Sequence, residues 1–234
     1  MRRAVGCACA LAWASSAWAA GQNLPSTGVA ANGSSRCTYT TSQWDVVKHA
    51  SSHAQVVDKP YAEVADNERD PSEPRCSVCR EDQEAIDARS LGVNVPAFLV
   101  CHVYAADVRA ALRAVVADKS SVIKSITGYR VGRTRGAIVD GLRTEWSNHS
   151  FGAALDINAG HNGLYSDCSV ANVSRETLVG CKLRVGGAWD PNKRPDTTIT
   201  TTSSVYRALR KFWRWGGEIT GGTRDMMHFS PTGY

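Results

Sequence analysis

The chain has 234 residues, 43% hydrophobic and 21% charged, with a formal net charge of +5 at pH 7. That length suits one substantial core, or one core with an appendage. The charge excess is too small to argue for nucleic acid, and no aromatic-and-basic stripe offers base stacking, so no nucleic-acid partner is expected.

Residues 1–19 have the layout of a secretory signal peptide. Arg2 and Arg3 supply a positive start, residues 4–13 are apolar, and Ala17-Trp18-Ala19 is a small-x-small cleavage pattern. Ser15 and Ser16 interrupt the segment short of the roughly 20 apolar residues that a spanning helix needs. No later stretch is apolar enough to cross a bilayer. The expectation is an exported protein, periplasmic or extracellular, with no membrane span and in monomeric form. Loss of the two leader arginines takes the charge from +5 to about +3.

Residues 20–36, rich in Ala, Gly, Ser, Asn and Pro, read as a flexible lead-in. Residues 42–57 form a candidate helix, which would stack Asp45, His49 and His53 on one solvated face. Position 50 is Ala, so the H-E-x-x-H protease motif is absent. Residues 66–86 are charged and carry Pro71 and Pro74, and read as a long loop.

Six cysteines follow the leader: Cys37, Cys76, Cys79, Cys101, Cys168 and Cys181. An even count in an exported chain favours disulfides. Cys168 and Cys181 flank one loop and are expected to pair, a closure that contributes about 3 kcal/mol in the chain-entropy model. The other four form two bridges whose connectivity the sequence leaves open. The competing reading of Cys76-x-x-Cys79, a redox pair or half a structural zinc site, lacks a second pair at metal spacing.

Residues 105–117 carry Val108, Leu112 and Val115 at helical steps, with Val116 widening the stripe. A β-prone run over 121–126 breaks at Thr127-Gly128, and the apolar residues 151–157 suit a buried strand. A Gly/Asn/Asp/Pro-rich excursion fills 158–198. Ser203 or Ser204 then caps a helix whose Val205, Leu209 and Phe212 share a face, ending at Gly216-Gly217. Residues 225–229 are short enough for a strand or strand end. Helices and strands mix without a repeated βαβ rhythm, so the fold class is α+β.

Two clusters carry chemistry. The first is Ser147-Asn148-His149-Ser150-Phe151-Gly152-Ala153-Ala154-Leu155-Asp156; the second is Trp215-Gly216-Gly217 followed by Asp225-Met226-Met227-His228-Phe229. Two imidazoles and one carboxylate are what a catalytic zinc takes, leaving its fourth position open for water. His149, Asp156 and His228 supply that set if the fold brings the clusters together. Asp225, three residues before His228, can stay off the metal and take a proton from the attacking water.

Together the clusters resemble the zinc D-alanyl-D-alanine carboxypeptidases and dipeptidases of the vancomycin-resistance type, and the related L-alanyl-D-glutamate endolysins of phages. Ser147, His149, Gly152, Ala154 and Asp156 fit the family's S-x-H-x-x-G-x-A-x-D; Trp215, Gly216 and Gly217 fit its W-G-G; Asp225, His228 and Phe229 fit the last element. Thr127-Gly128-Tyr129-Arg130 is similar to the family's S-G-Y-R. The resemblance implies that His149, Asp156 and His228 hold Zn2+, that Asp225 is the base, and that Arg130 stabilises the oxyanion. It also implies a hedgehog/D,D-peptidase-like small antiparallel sheet flanked by helices, here with disulfide-stapled loops, and peptidoglycan peptides as substrate. It spans residues 105–234, the expected zinc peptidase domain, and leaves residues 37–104 as a cysteine-containing extension of unexplained role.

Other constellations are weaker. Ser121-Val-Ile-Lys124 matches the S-x-x-K of serine D,D-peptidases, but no K-T-G strand exists. His161, in a Gly/Asn-rich loop, and His102, beside Cys101, read as structural or loop residues. Arg133 and Arg135 read as a solvated loop. A second class of function is a non-catalytic zinc-bearing module that binds wall peptide or a partner protein. Such a module has no need of Asp225.

Overall fold

A computed structural model describes residues 28–169 and 178–234. The expected signal peptide and the first part of the lead-in, residues 20–27, lie outside the described residues. The strands in chain order begin with β1 (Arg36–Asp45), β2 (Ala50–Pro60), β3 (Arg69–Asp70), β4 (Glu73–Ser77), β5 (Gln83–Ile86) and β6 (Phe98–Cys101). After helix α1 (Ala105–Asp118) come β7 (Ile126–Thr127), β8 (Arg133–Val139), β9 (Leu142–Trp146), β10 (Leu155–Ile157), β11 (Leu164–Ser166) and β12 (Lys182–Val185). Helix α2 (Ser204–Leu209) precedes β13 (Arg214–Trp215), β14 (Arg224–Asp225) and β15 (His228–Ser230). Few helices and several small sheets make an α+β architecture, as the sequence indicates.

The sheet that matters for function runs β13-β15-β10-β7, with every neighbour antiparallel. Strand periodicity sends Leu155 and Ile157 of β10 into the core and leaves Asp156 on the opposite face. Phe229 of β15 enters the same core beside Trp213 and Trp215. Helix α1 covers it with Val108, Leu112 and Val115, the stripe read from the sequence, and α2 adds Val205 and Leu209.

Residues 37–104 share this packing. Ile86 and Val100 belong to the same buried cluster as α1. A second cluster gathers Cys37, Tyr39, Tyr61, Cys76, Val78, Cys79 and Cys101 around Phe151 and Ala153 of the first motif. Two disulfides, Cys37–Cys79 and Cys76–Cys101, run through it. Each cysteine of the C-x-x-C therefore has its own distant partner. Cys168 and Cys181 are bonded, as expected.

Several expectations are corrected. Residues 42–57 are a β-hairpin, not a helix. Asp45 Oδ1 accepts hydrogen bonds from the amides of Val47 and Lys48, both at 2.9 Å, which turns the chain back. His49 and His53 have φ values of 52° and 53°, incompatible with a shared helix face. The stretch 66–86 holds β3, β4 and β5 rather than one long loop, built around the buried Asp82, which accepts from Tyr61 Oη at 2.9 Å and from Ser77 Oγ. Most of the run 121–126 is not strand: Asn158 Oδ1 takes the amides of Lys124 (2.6 Å) and Ser125 (3.2 Å) where a sheet neighbour would stand. In 151–157 only β10 is extended, because Gly152 at φ +65° ends a 3-10 turn over Asn148–Phe151. Helix α2 is capped by Ser203, whose hydroxyl accepts from Tyr206 N at 3.3 Å. It stops at Leu209, since Arg214 and Trp215 are drawn into pairing with β15.

Candidate metal centre

Asp156 and His228 are register partners on β10 and β15, so their side chains meet as a cross-strand pair. His149 comes from the 3-10 turn just before β10, and this turn is clamped from below. Ser150 Oγ donates to Gly132 O and accepts from Gly132 N, both at 3.0 Å. Arg130 N donates to His149 O at 3.1 Å. Two stretches far apart in the chain thus converge through ordinary sheet pairing.

The ligand-capable atoms of His149, Asp156 and His228 all lie within 4.8 Å of one another. Asp156 Oδ1 is 3.1 Å from His149 Nε2 and 3.0 Å from His228 Nδ1. A tetrahedral ion with bonds of about 2.05 Å would hold its ligands roughly 3.3 Å apart, so the spacing fits one small cation. The other nitrogen of each ring is engaged. His149 Nδ1 is 2.8 Å from Gly128 O and His228 Nε2 is 3.0 Å from Tyr234 O. Each carbonyl can take an N–H, in the tautomer that would turn lone pairs of His149 Nε2 and His228 Nδ1 toward a bound cation. His149 Nε2 is buried without a hydrogen-bond partner, an orphan that a metal would satisfy.

The electrostatics separate the two carboxylates. Burial opposes ionisation of Asp156, yet His149 and His228 beside it hold its carboxyl well below the usual range. Burial pushes Asp225 up to about 6, with Asp156 adding to the rise while His228, the Met227 amide and Arg130 oppose it. Its Oδ1 is out of contact with water and unpaired. One acid is thus committed to charge beside the imidazoles, and the other sits where a proton can come and go. Arg130 is half-exposed, with Nη2 3.5 Å from Asp156 Oδ2, so its guanidinium overlooks the same site.

The W-G-G element has a steric role. A Cβ on Gly216 would stand 2.3 Å from Asp225 O and 2.9 Å from Asp225 Cβ, so only glycine lets β14 approach. Trp215 Nε1 donates to Met226 O at 2.9 Å and fixes the turn between Asp225 and His228.

The competing constellations are employed elsewhere. Ser121 Oγ accepts from Ser204 N at 3.1 Å at the start of α2. His161 Nδ1 is 2.7 Å from Thr197 Oγ1, and His102 Nδ1 is 3.2 Å from Asp82 O. Arg133 stacks over Trp146, and Arg135 Nη1 donates to Asn148 Oδ1 at 3.1 Å. Sequence reasoning misses Asn148 and Tyr234. Asn148 Nδ2 donates to Thr232 Oγ1 at 3.0 Å and to Tyr234 O, which holds the acceptor of His228 in place. Main-chain acceptors carry no residue signature; only the position of Asn148 inside the first motif could have drawn notice.

Among the described residues, no helix is long and apolar enough to cross a membrane. Searches of curated proteins and of solved structures returned no match. The sequence family described as D-alanyl-D-alanine carboxypeptidase matches residues 141–231, a span that contains His149, Asp156, Asp225 and His228. The segment that assembles this centre is thus similar to the D-alanyl-D-alanine carboxypeptidase family, whose match covers less than half of the chain.

Proposed function

We propose that this protein is an exported zinc peptidase that hydrolyses a peptide bond in peptidoglycan stem peptides, of the D,D-carboxypeptidase or L-alanyl-D-glutamate endopeptidase type. The observation that carries the reading is the convergence of His149 Nε2, His228 Nδ1 and an Asp156 oxygen, with the uncommitted Asp225 beside them. His149, Asp156 and His228 would hold zinc, which supplies a Lewis acid for the scissile carbonyl and acidifies water. Asp225 takes the proton of the attacking water and passes it to the leaving amine as the C–N bond breaks. Arg130 faces the oxygen on which negative charge collects and stabilises it with a fixed guanidinium. The hedgehog/D,D-peptidase-like fold and a place in the periplasm or outside the cell belong to the same proposal.

The test is digestion of defined muropeptides by the mature chain, followed by mass spectrometry. Product masses identify the bond. Chelator should stop cleavage and zinc restore it, and Asp225→Ala should keep zinc while losing turnover. Full rate in chelator, or in Asp225→Ala, would reject the mechanism. Peptide binding without any turnover would instead favour a zinc-bearing binding module.

A further inference from the structure

The base and the metal ligands stand on different sheets. Asp156 and His228 belong to β13-β15-β10-β7, whereas Asp225 lies on β14, the outer strand of the three-stranded sheet β12-β11-β14. Both pairings in that sheet are antiparallel. Asp225 is the register partner of Leu164, and Leu164 is in turn the partner of Val185. Directly opposed residues project on one face, so the three side chains form a row that starts at the base and runs outward. A shift of register between Leu164 and Tyr165 sends Leu183 to the other face. Leu183 pairs with the buried Tyr165, and its Cδ1 fills the place where a Cβ on Gly163 would stand.

Beyond the base the row is apolar and open. Val185 is 51% exposed and Leu164 is partly buried, and among the described residues neither packs against the two buried clusters. Scattered surface aliphatics are ordinary. These two are set apart by their alignment with Asp225. Each step across the strands is about 5 Å, so the row reaches roughly 10 Å from β14. Asp225 hands its proton to the leaving amine, which brings the departing half of the substrate to β14, while Arg130 beside Asp156 attends the carbonyl half. The departing residue then has Leu164 and Val185 under it. A methyl group reaches Leu164 at most; only a longer chain meets Val185. A carboxylate there would lose water without gaining a counter-charge, since the two cations of β12, Lys182 and Arg184, both pair with Asp167.

We infer that Leu164 and Val185 are specificity-determining residues, an apolar floor that receives an aliphatic chain of about four carbons on the residue whose amine departs. The inference rests on the peptidase reading above and narrows its substrate on the leaving side. A short methyl side chain uses half of the floor, and an acidic one is disfavoured by it.

The experiment uses two series of synthetic peptides, with D-alanine or L-alanine before the scissile bond and D-norleucine, D-alanine or D-glutamate after it. Hydrolysis by the zinc protein is followed by steady-state kinetics. Within the series that is cleaved, norleucine should exceed alanine by roughly tenfold or more in kcat/KM, with glutamate last. Val185→Lys should remove most of the norleucine preference and raise glutamate relative to alanine, with zinc content unchanged. Leu164→Ala should also lower the norleucine-to-alanine ratio, a quantity that a mere loss of stability does not move. Leu183→Ser, on the other face, should keep the wild-type ratio. Equal rates for norleucine and alanine in the wild type, glutamate ranked first, or an undiminished preference in Val185→Lys overturns the floor and leaves the peptidase reading in place. If no peptide is cleaved, the peptidase reading falls, and calorimetry on the same zinc protein decides the floor. Tighter binding of the norleucine peptides that is lost in Val185→Lys upholds it, and equal binding of all three overturns it.

Discussion

Gly152→Ala should unfold this protein more easily by about 2–5 kcal/mol. Gly152 has φ +65°, where an L-residue pays roughly 1–2 kcal/mol. An added Cβ would also stand 1.9 Å from Gln83 Oε1 and 2.5 Å from Cys101 N. Neither neighbour gives way freely. The Gln83 amide donates to Ser77 O and Cys79 O, both at 3.0 Å, and Cys101 N donates to Gly152 O at 2.9 Å. Overpacking against such fixed atoms costs about 1–3 kcal/mol. For a chain of this size the sum lowers Tm by roughly 4–20 °C. Urea unfolding of the zinc-free protein and calorimetry both measure it. Gly222→Ala is the control, since its Cβ meets nothing within 4 Å. A Gly152→Ala protein within about 1 kcal/mol of that control would refute the argument. Because the shift propagates into the turn that carries His149, zinc affinity should fall in parallel.

Three further outcomes follow from the geometry. Asp225 titrates near 6 when folded and near 3.9 when unfolded, so its favourable contribution is complete below about pH 4 and lost as pH rises through 6. Asp225→Asn in zinc-free protein should therefore be stability-neutral at about pH 4 and gain about 1–3 kcal/mol at about pH 8; urea curves at the two pH values that show no difference would contradict this. Asn148→Ala, which removes the shortest of three side-chain hydrogen bonds to the Tyr234 oxygen facing His228 and leaves those of Arg135 and Ser230, should weaken zinc binding by up to about tenfold in a competition titration; unchanged affinity would remove Asn148 from the supporting role. Gly216→Ala should displace Asp225 while sparing the ligands, so kcat should drop by roughly tenfold or more with zinc content intact; lost zinc or retained kcat would show that the close approach is not specific to the base.

What is legible in the sequence is local or strongly patterned. The helix over 105–117 is visible because Val108, Leu112 and Val115 repeat at its period, and the structure extends it by one residue, to Asp118. The Cys168–Cys181 bridge is short-range and readable for that reason. The hairpin over 42–57 is not. Asp45, His49 and His53 fall at four-residue spacing by coincidence, while the strand pairing depends on an Asx-type turn and on Cys37 being held by Cys79. The pairing of Cys76 with Cys101 is likewise decided by packing, because the intervening residues contribute Val78, Ile86 and Val100 to two different buried clusters.

That non-local part changes how the first motif is understood. Spacing alone assigns His149 and Asp156 to one centre and gives Gly152 a merely permissive place between them. In the folded chain, Gly152 is where the disulfide-bonded block of residues 37–101 presses on the ligand turn, through Cys101 N and Gln83. Phe151 and Ala153 are buried in the same cluster as Cys37, Cys76, Cys79 and Cys101. Tyr129 Oη donates to Val78 O at 2.6 Å, and Tyr129 N to Leu99 O at 2.8 Å, so the segment bearing Gly128 and Arg130, just after β7, is held by that block too. A ligand whose tautomer is set by one carbonyl is only as fixed as the backbone bearing that carbonyl. The extension is therefore a buttress for His149 and Arg130, and opening Cys76–Cys101 by a paired Cys→Ser change should loosen both while leaving β10 and β15 paired.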